Sequence, residues 1–122
     1  GTRFVASQEA QVHENYKNYI VKAKDIDSRV TGRSTGHPVR ALRNQMTKTY
    51  LEKEQAGVPF EELELLTLGS LRKAVVEGDV INGSVMAGQS AAMIRDILPC
   101  KEIIEKLIAQ AEAVMKGMGN HE

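Results

Sequence analysis

With 122 residues, 42% of them apolar, the chain is long enough for one domain with a buried core. Its 16 basic and 16 acidic residues cancel, so bulk charge steers it toward neither nucleic acid nor an anionic membrane, and no apolar run approaches the roughly 20 residues of a membrane span. The single Cys100 excludes an internal disulfide and any structural zinc site built on two or more thiolates, and it fits a reducing cytoplasm.

Arg3 to Ala6 reads as a brief extended segment or the end of a strand. Ser7 then offers an N-cap, with Gln8 and Glu9 in the first turn, and Val12, Tyr16, Tyr19, Ile20 and Ala23 recur at helical spacing. This helix is expected to end near Lys24. Residues 28–31 read as a short strand, followed by a loop punctuated by Gly32, Gly36 and Pro38 and an extended approach to the next helix. Asn44 is the expected cap of that helix, which carries Met46, Tyr50 and Leu51 and stops at Gly57.

Pro59 suits the start of a further helix, whose apolar face (Leu63, Leu66, Leu71, Ala74, Val75) is split at Gly69 and ends by Gly78. A loop follows, then a run of small residues from Gly83 to Ala92 that lets a backbone or a ligand approach closely. Pro99 opens a last helix with Ile103, Leu107, Ala111 and Val114 on one face, and "GMGNHE" reads as a frayed end. The two predicted strands, Arg3–Ala6 and Ser28–Thr31, have no evident partners, and unpaired strand backbone suggests that more chain belongs with this one.

No hydrolase elbow, Walker loop or zincin motif is present. His13 reads as a solvated helix residue, and His121 lies in the tail. His37, inside "STGHPVR", is the only histidine in a loop of special residues. Arg29, Arg33, Arg40, Arg43 and Lys48 occur with no acid between Ser28 and Leu51. They form either a solvated face paired with the acidic "EELE" at 61–64 or a site for phosphates or an acidic partner protein. Without interleaved aromatics, a single-stranded nucleic acid is a poor explanation. Gly1-Thr2 offers a close backbone approach, an N–H and a hydroxyl, but as a bare dipeptide it specifies little.

Three stretches taken together, "GTRFVASQEAQVHENYK", "DIDSRVTGRSTGHPVRALRNQM" and "LRKAVVEGDVINGSVMAGQ", resemble the flavin-dependent enoyl-acyl-carrier-protein reductases (enoyl-ACP reductase II), within the nitronate monooxygenase, or 2-nitropropane dioxygenase-like, superfamily. The resemblance covers nearly the whole chain, and "GDVINGSVMAGQ" points most clearly to the reductase branch. It implies a TIM (β/α)8 barrel that binds FMN, with an inserted, mostly helical subdomain, this chain being mainly α. Because such a barrel takes about 250 residues, the chain is expected to be its C-terminal part. Residues 1–24 would end the barrel, 25–78 form the helical subdomain with a short strand, and 79–122 return to the barrel.

The resemblance further implies that Gly1 and Thr2 hold the FMN phosphate, and that Ser84, Val85, Met86 and Gln89 line the active-site cleft. For Val85 and Met86, ordinary core packing is the competing reading. His37 belongs to the "GHPVRALRNQ" loop and takes no catalytic role; no residue of this chain is assigned as catalytic, and no metal is expected. The implied activity is NADH-dependent reduction of an enoyl thioester on acyl carrier protein, in type II fatty acid biosynthesis, by a cytoplasmic homodimer. Arg29, Arg33, Arg40 and Arg43 would dock the carrier or the NADH phosphates. The alternatives are an FMN-dependent nitronate monooxygenase and, from another class, a non-catalytic helical interaction module.

Overall fold

The computed structural model describes residues 1–119, and the chain is built mainly of helices: α1 (Thr2–Val5), α2 (Glu14–Lys22), α3 (Gln45–Gln55), α4 (Phe60–Thr67), α5 (Ser70–Val75) and α6 (Cys100–Gly119). Two strands, β1 (Ser28–Thr31) and β2 (Val39–Leu42), pair antiparallel with Ser28 opposite Leu42 and Thr31 opposite Val39. The partner that β1 lacked in the sequence reading is therefore the extended approach at 39–42. The loop between them turns on Gly32 and Gly36, both left-handed at φ +81° and +78°.

The first segment departs from expectation. Residues 2–5 form one helical turn, not a strand, and the extended pairing falls one step later, in a parallel bridge between Ser7 and Leu98. A single turn has too little length for sequence periodicity to reveal, and tertiary contacts decide it. Arg3 anchors the turn through an ion pair to Asp96 at 3.0 Å and a hydrogen bond to the Asp96 carbonyl at 2.8 Å. Ser7 caps no following helix. Its hydroxyl donates to the Phe4 carbonyl at 2.6 Å and accepts from Ala10 N–H at 3.3 Å, tying off the end of α1. Helix α2 starts only at Glu14, capped by His13, whose Nδ1 accepts from Asn15 N–H at 3.0 Å.

The later helices follow their local signals. Asn44 caps α3, left-handed Gly57 follows it, and left-handed Gly69 separates α4 from α5. Pro59 sits at the N-cap of α4. The Glu9 carboxylate accepts from Cys100 N–H at 3.0 and 3.1 Å, placing negative charge at the positive end of α6. Helix α6 continues through Gly119, so residues 117–119 are not frayed, while His121 and its neighbours at 120–122 lie outside the described residues.

The core joins all three segments: Ile20 from α2, Leu42 from β2 and Val85 from the small-residue loop are each almost wholly buried, with Ala6, Ala74 and Ile94 around them. Each such aliphatic contributes about 1.5–3 kcal/mol by leaving water. Among the described residues no helix is long and apolar enough to cross a membrane.

Candidate functional site

The segment from Ser84 to Gln89 is where the chain converges. It runs extended beside β2, with Leu42 N–H donating to the Val85 carbonyl at 2.9 Å and Ala87 N–H to the Arg40 carbonyl at 3.3 Å. A bridge pairs Ala41 with Met86. From α5, Ser70 grips the start: its carbonyl accepts from Ser84 N–H at 2.9 Å, and the two hydroxyls lie 2.7 Å apart. From α2, the Tyr16 hydroxyl donates to the Met86 carbonyl at 2.6 Å. From the first turn, Thr2 Oγ1 accepts from Gly88 N–H at 2.9 Å. Thr2 and the 84–89 segment, singled out separately in the sequence, thus meet in space.

Their side chains part company by the strand period. Val85 points into the core and is fully buried, which is the packing alternative. Met86, 38% exposed, faces the other way into a cavity, and Gln89 is exposed at the start of a 3-10 turn. Ser84 is buried, its backbone and hydroxyl both engaged with Ser70. Gly1 is exposed at the cap of α1.

The basic residues do not form a single patch. Arg29 stands opposite Ala41 and Arg40 opposite Val30, so the pleat sends them to opposite faces of the hairpin. Arg40 donates to Ser28 Oγ at 2.9 Å, and Arg29 to the carbonyls of Ile26 and Ser28. Arg43 pairs with Asp27 at 3.0 Å, and among the described residues none of these arginines pairs with the acids at 61–64. The solvated-face reading therefore had the wrong acid. Arg29, Arg43 and Lys48 do line one groove of about 510 Å³ along α3. Arg33 and His37 are exposed in the hairpin loop.

Two positioning residues were missed in the sequence. Helical spacing assigns Tyr16 to an apolar face, yet a buried tyrosine needs a partner for its hydroxyl. Ser70 carries no such signal. Burial pushes the Tyr16 phenol up to about 12. The unfolded chain, at about 10, loses its proton first, so this contribution to stability is complete below pH ~10 and is lost as pH rises toward 12. Tyr16→Phe is expected to cost about 1–2 kcal/mol at neutral pH by leaving the Met86 carbonyl without this donor. The wild-type advantage over that variant should shrink above pH ~10, read from urea midpoints at several pH values. A constant difference would refute the assignment.

The chain superposes over its whole length on the structure of FabK from Thermotoga maritima, with a TM-score of 0.91 and 44% identity, covering 39% of that chain. It also matches nitroalkane oxidase from Streptomyces ansochromogenes over 97% of its length, with a TM-score of 0.71 and 26% identity, covering 33% of that chain. Fold and neighbours together make this chain a mainly helical portion of a larger TIM-barrel fold.

The chain belongs to the nitronate monooxygenase family, whose model matches residues 1–110. A probable nitronate monooxygenase of Staphylococcus saprophyticus is 26% identical over 115 residues. That alignment takes in 94% of this chain and 32% of the relative, so the chain spans about a third of the length of the curated relatives it matches.

Proposed function

We propose that the full-length protein reduces an enoyl thioester on acyl carrier protein, using FMN with NADH as the reductant, and that this chain supplies one wall of the site. The observation that carries the reading is the 44% identity to FabK across the entire chain, against 26% to the nitroalkane oxidase. The chemistry FMN supplies when bound is hydride transfer to the β-carbon of the enoyl group, balanced by a proton at the α-carbon.

The residues present suit its phosphate. Gly1 carries no side chain to bar a close backbone approach. Thr2 Oγ1 accepts from Gly88 N–H, which leaves its own proton to donate to an anion. Thr2→Ala in the full-length protein is expected to weaken FMN binding by about 1–3 kcal/mol, measured by flavin fluorescence on dilution, while Thr2→Ser retains it. Unchanged affinity in Thr2→Ala would remove the assignment. In this reading Met86, held by Tyr16 and by its bridge to Ala41, and the exposed Gln89 face the substrate.

The groove of Arg29, Arg43 and Lys48 is the surface best suited to an acidic carrier or to the NADH phosphates. The second reading, a nitronate monooxygenase, is favoured by the family match over residues 1–110. The non-catalytic module has no comparable observation behind it. One experiment separates them: NADH-dependent turnover of crotonyl thioesters is expected, and oxygen-dependent turnover of a nitronate without NADH would favour the second. If the groove docks the carrier, salt should raise KM for the carrier-linked thioester more than for its pantetheine-linked counterpart; equal salt effects would exclude it.

A further inference from the structure

The cavity that receives Met86 has a construction of its own. Its floor is one face of the hairpin, at Thr31 and Ala41, and it is closed by the start of α3, the α4–α5 junction and Ser84. It holds about 260 Å³, the space of roughly eight water-sized groups at about 30 Å³ each. Three part-exposed apolar side chains, Val39 at 40%, Leu71 at 42% and Met86 at 38%, form its mouth. The interior residues Ala41, Thr47, Ser70 and Ser84 are buried.

Five hydroxyl side chains line this cavity, yet four of them are already paired with the protein. Ser70 Oγ donates to the Thr67 carbonyl at 2.8 Å, which makes Ser84 the donor to Ser70. Thr47 Oγ1 donates to the Asn44 carbonyl at 3.0 Å, and Thr67 Oγ1 to the Glu64 carbonyl at 2.9 Å. Thr31 is the one lining hydroxyl with no such bond among the described residues. No charged side chain lines the cavity. A ligand entering it meets mainly carbon and finds no counter-charge. An anion such as a nitronate or a phosphate would be desolvated there without compensation, whereas an uncharged hydrocarbon tail loses nothing.

We infer that this cavity receives the distal acyl tail of the thioester substrate and sets the chain length the enzyme accepts. The inference rests on the reductase reading above, because Met86 at its mouth connects it to the proposed reaction site. The tail would enter past Met86 and its bridge partner Ala41 and run inward toward Thr47 and the Ser70–Ser84 pair, so that added bulk along this path shortens the accepted chain.

The test compares crotonyl, octenoyl and dodecenoyl thioesters with NADH in the full-length protein and in Leu71→Trp, a change at the part-exposed rim away from the Met86 bridge. The variant should keep crotonyl turnover and lose kcat/KM for the longer chains by roughly tenfold or more, the discrimination that even one methylene commands in an apolar pocket. If Leu71→Trp does not fold, Leu71→Phe, the smaller step at the same rim, tests the same point with a loss in the same direction. A folded variant with an unchanged chain-length profile overturns the cavity assignment alone. Wild-type protein that reduces no enoyl thioester overturns the reductase reading and this inference with it.

Discussion

Replacing Asn44 with alanine is expected to destabilise the protein by about 2–4 kcal/mol, from loss of a helix cap and of two donors to otherwise unpaired carbonyls. Asn44 does two jobs with one side chain. Its Oδ1 accepts from Thr47 N–H at 3.0 Å, and its own N–H donates to Thr47 Oγ1 at 2.9 Å, closing a capping box on α3. Its Nδ2 donates to the carbonyls of Val80 at 2.8 Å and Gly83 at 2.7 Å. Those carbonyls belong to the loop that delivers Ser84 to its place, so the cap of a helix also fixes the entrance to the site.

Variants separate the two contributions. Asn44→Ser keeps an oxygen for the cap and loses the two long-range bonds. Asn44→Asp keeps the cap but turns an oxygen toward two carbonyl oxygens. Both should fall well short of wild type in urea unfolding. Full recovery in Asn44→Ser would mean that the bonds to Val80 and Gly83 contribute nothing.

Asn44 also marks the limit of what the sequence discloses. Its capping role is local, written in the spacing to Thr47, and so were the stops at Gly57 and Gly69 and the start near Pro99. Its grip on residues 80–83 crosses nearly forty positions and leaves no periodic trace. The same division holds elsewhere. The strand at 28–31 was legible from composition, whereas its pairing with 39–42 had to be found in space. Once that pairing is known, the two-residue period alone separates Arg29 from Arg40, and the basic cluster divides, with Arg29, Arg43 and Lys48 left together along α3. The turn at 2–5 leaves no sequence signal, because one helical turn presents no face to compare. In the site, the small-residue run announced close approach without saying to what. The contacts of Thr2 to Gly88 and of Tyr16 to Met86 join distant positions, and only the fold reveals them.

Gly83→Ala should destabilise the protein by about 3 kcal/mol, because the added methyl group has nowhere to go. A Cβ at this position would stand 2.5 Å from the Asp79 carbonyl oxygen, 2.7 Å from Ala74 N and 2.8 Å from the Ser70 carbonyl oxygen. All three are backbone atoms, so no rotamer change can relieve the overlap. They are also fixed by their own bonds. The Asp79 carbonyl accepts from Gly83 N–H at 3.0 Å, and the Ser70 carbonyl from Ser84 N–H at 2.9 Å. The Asp79 carboxylate in turn receives Asn82 N–H at 2.9 Å, a bond that holds its pKa below the usual carboxylate range and keeps the 79–82 turn closed. The loop can admit the methyl group only by moving away from α5, and that movement breaks the Ser70–Ser84 contact in the wall of the acyl cavity.

Gly117→Ala is the matched control. It lies in α6 with open space around it, and alanine there should stabilise by about 0.5–1 kcal/mol through helix propensity alone. Urea midpoints for the two variants should therefore move in opposite directions. A Gly83→Ala protein within a few tenths of a kcal/mol of wild type would mean that the loop is not held against α5, and the convergence of Thr2, Tyr16 and Ser70 on residues 84–88 would lose its fixed point.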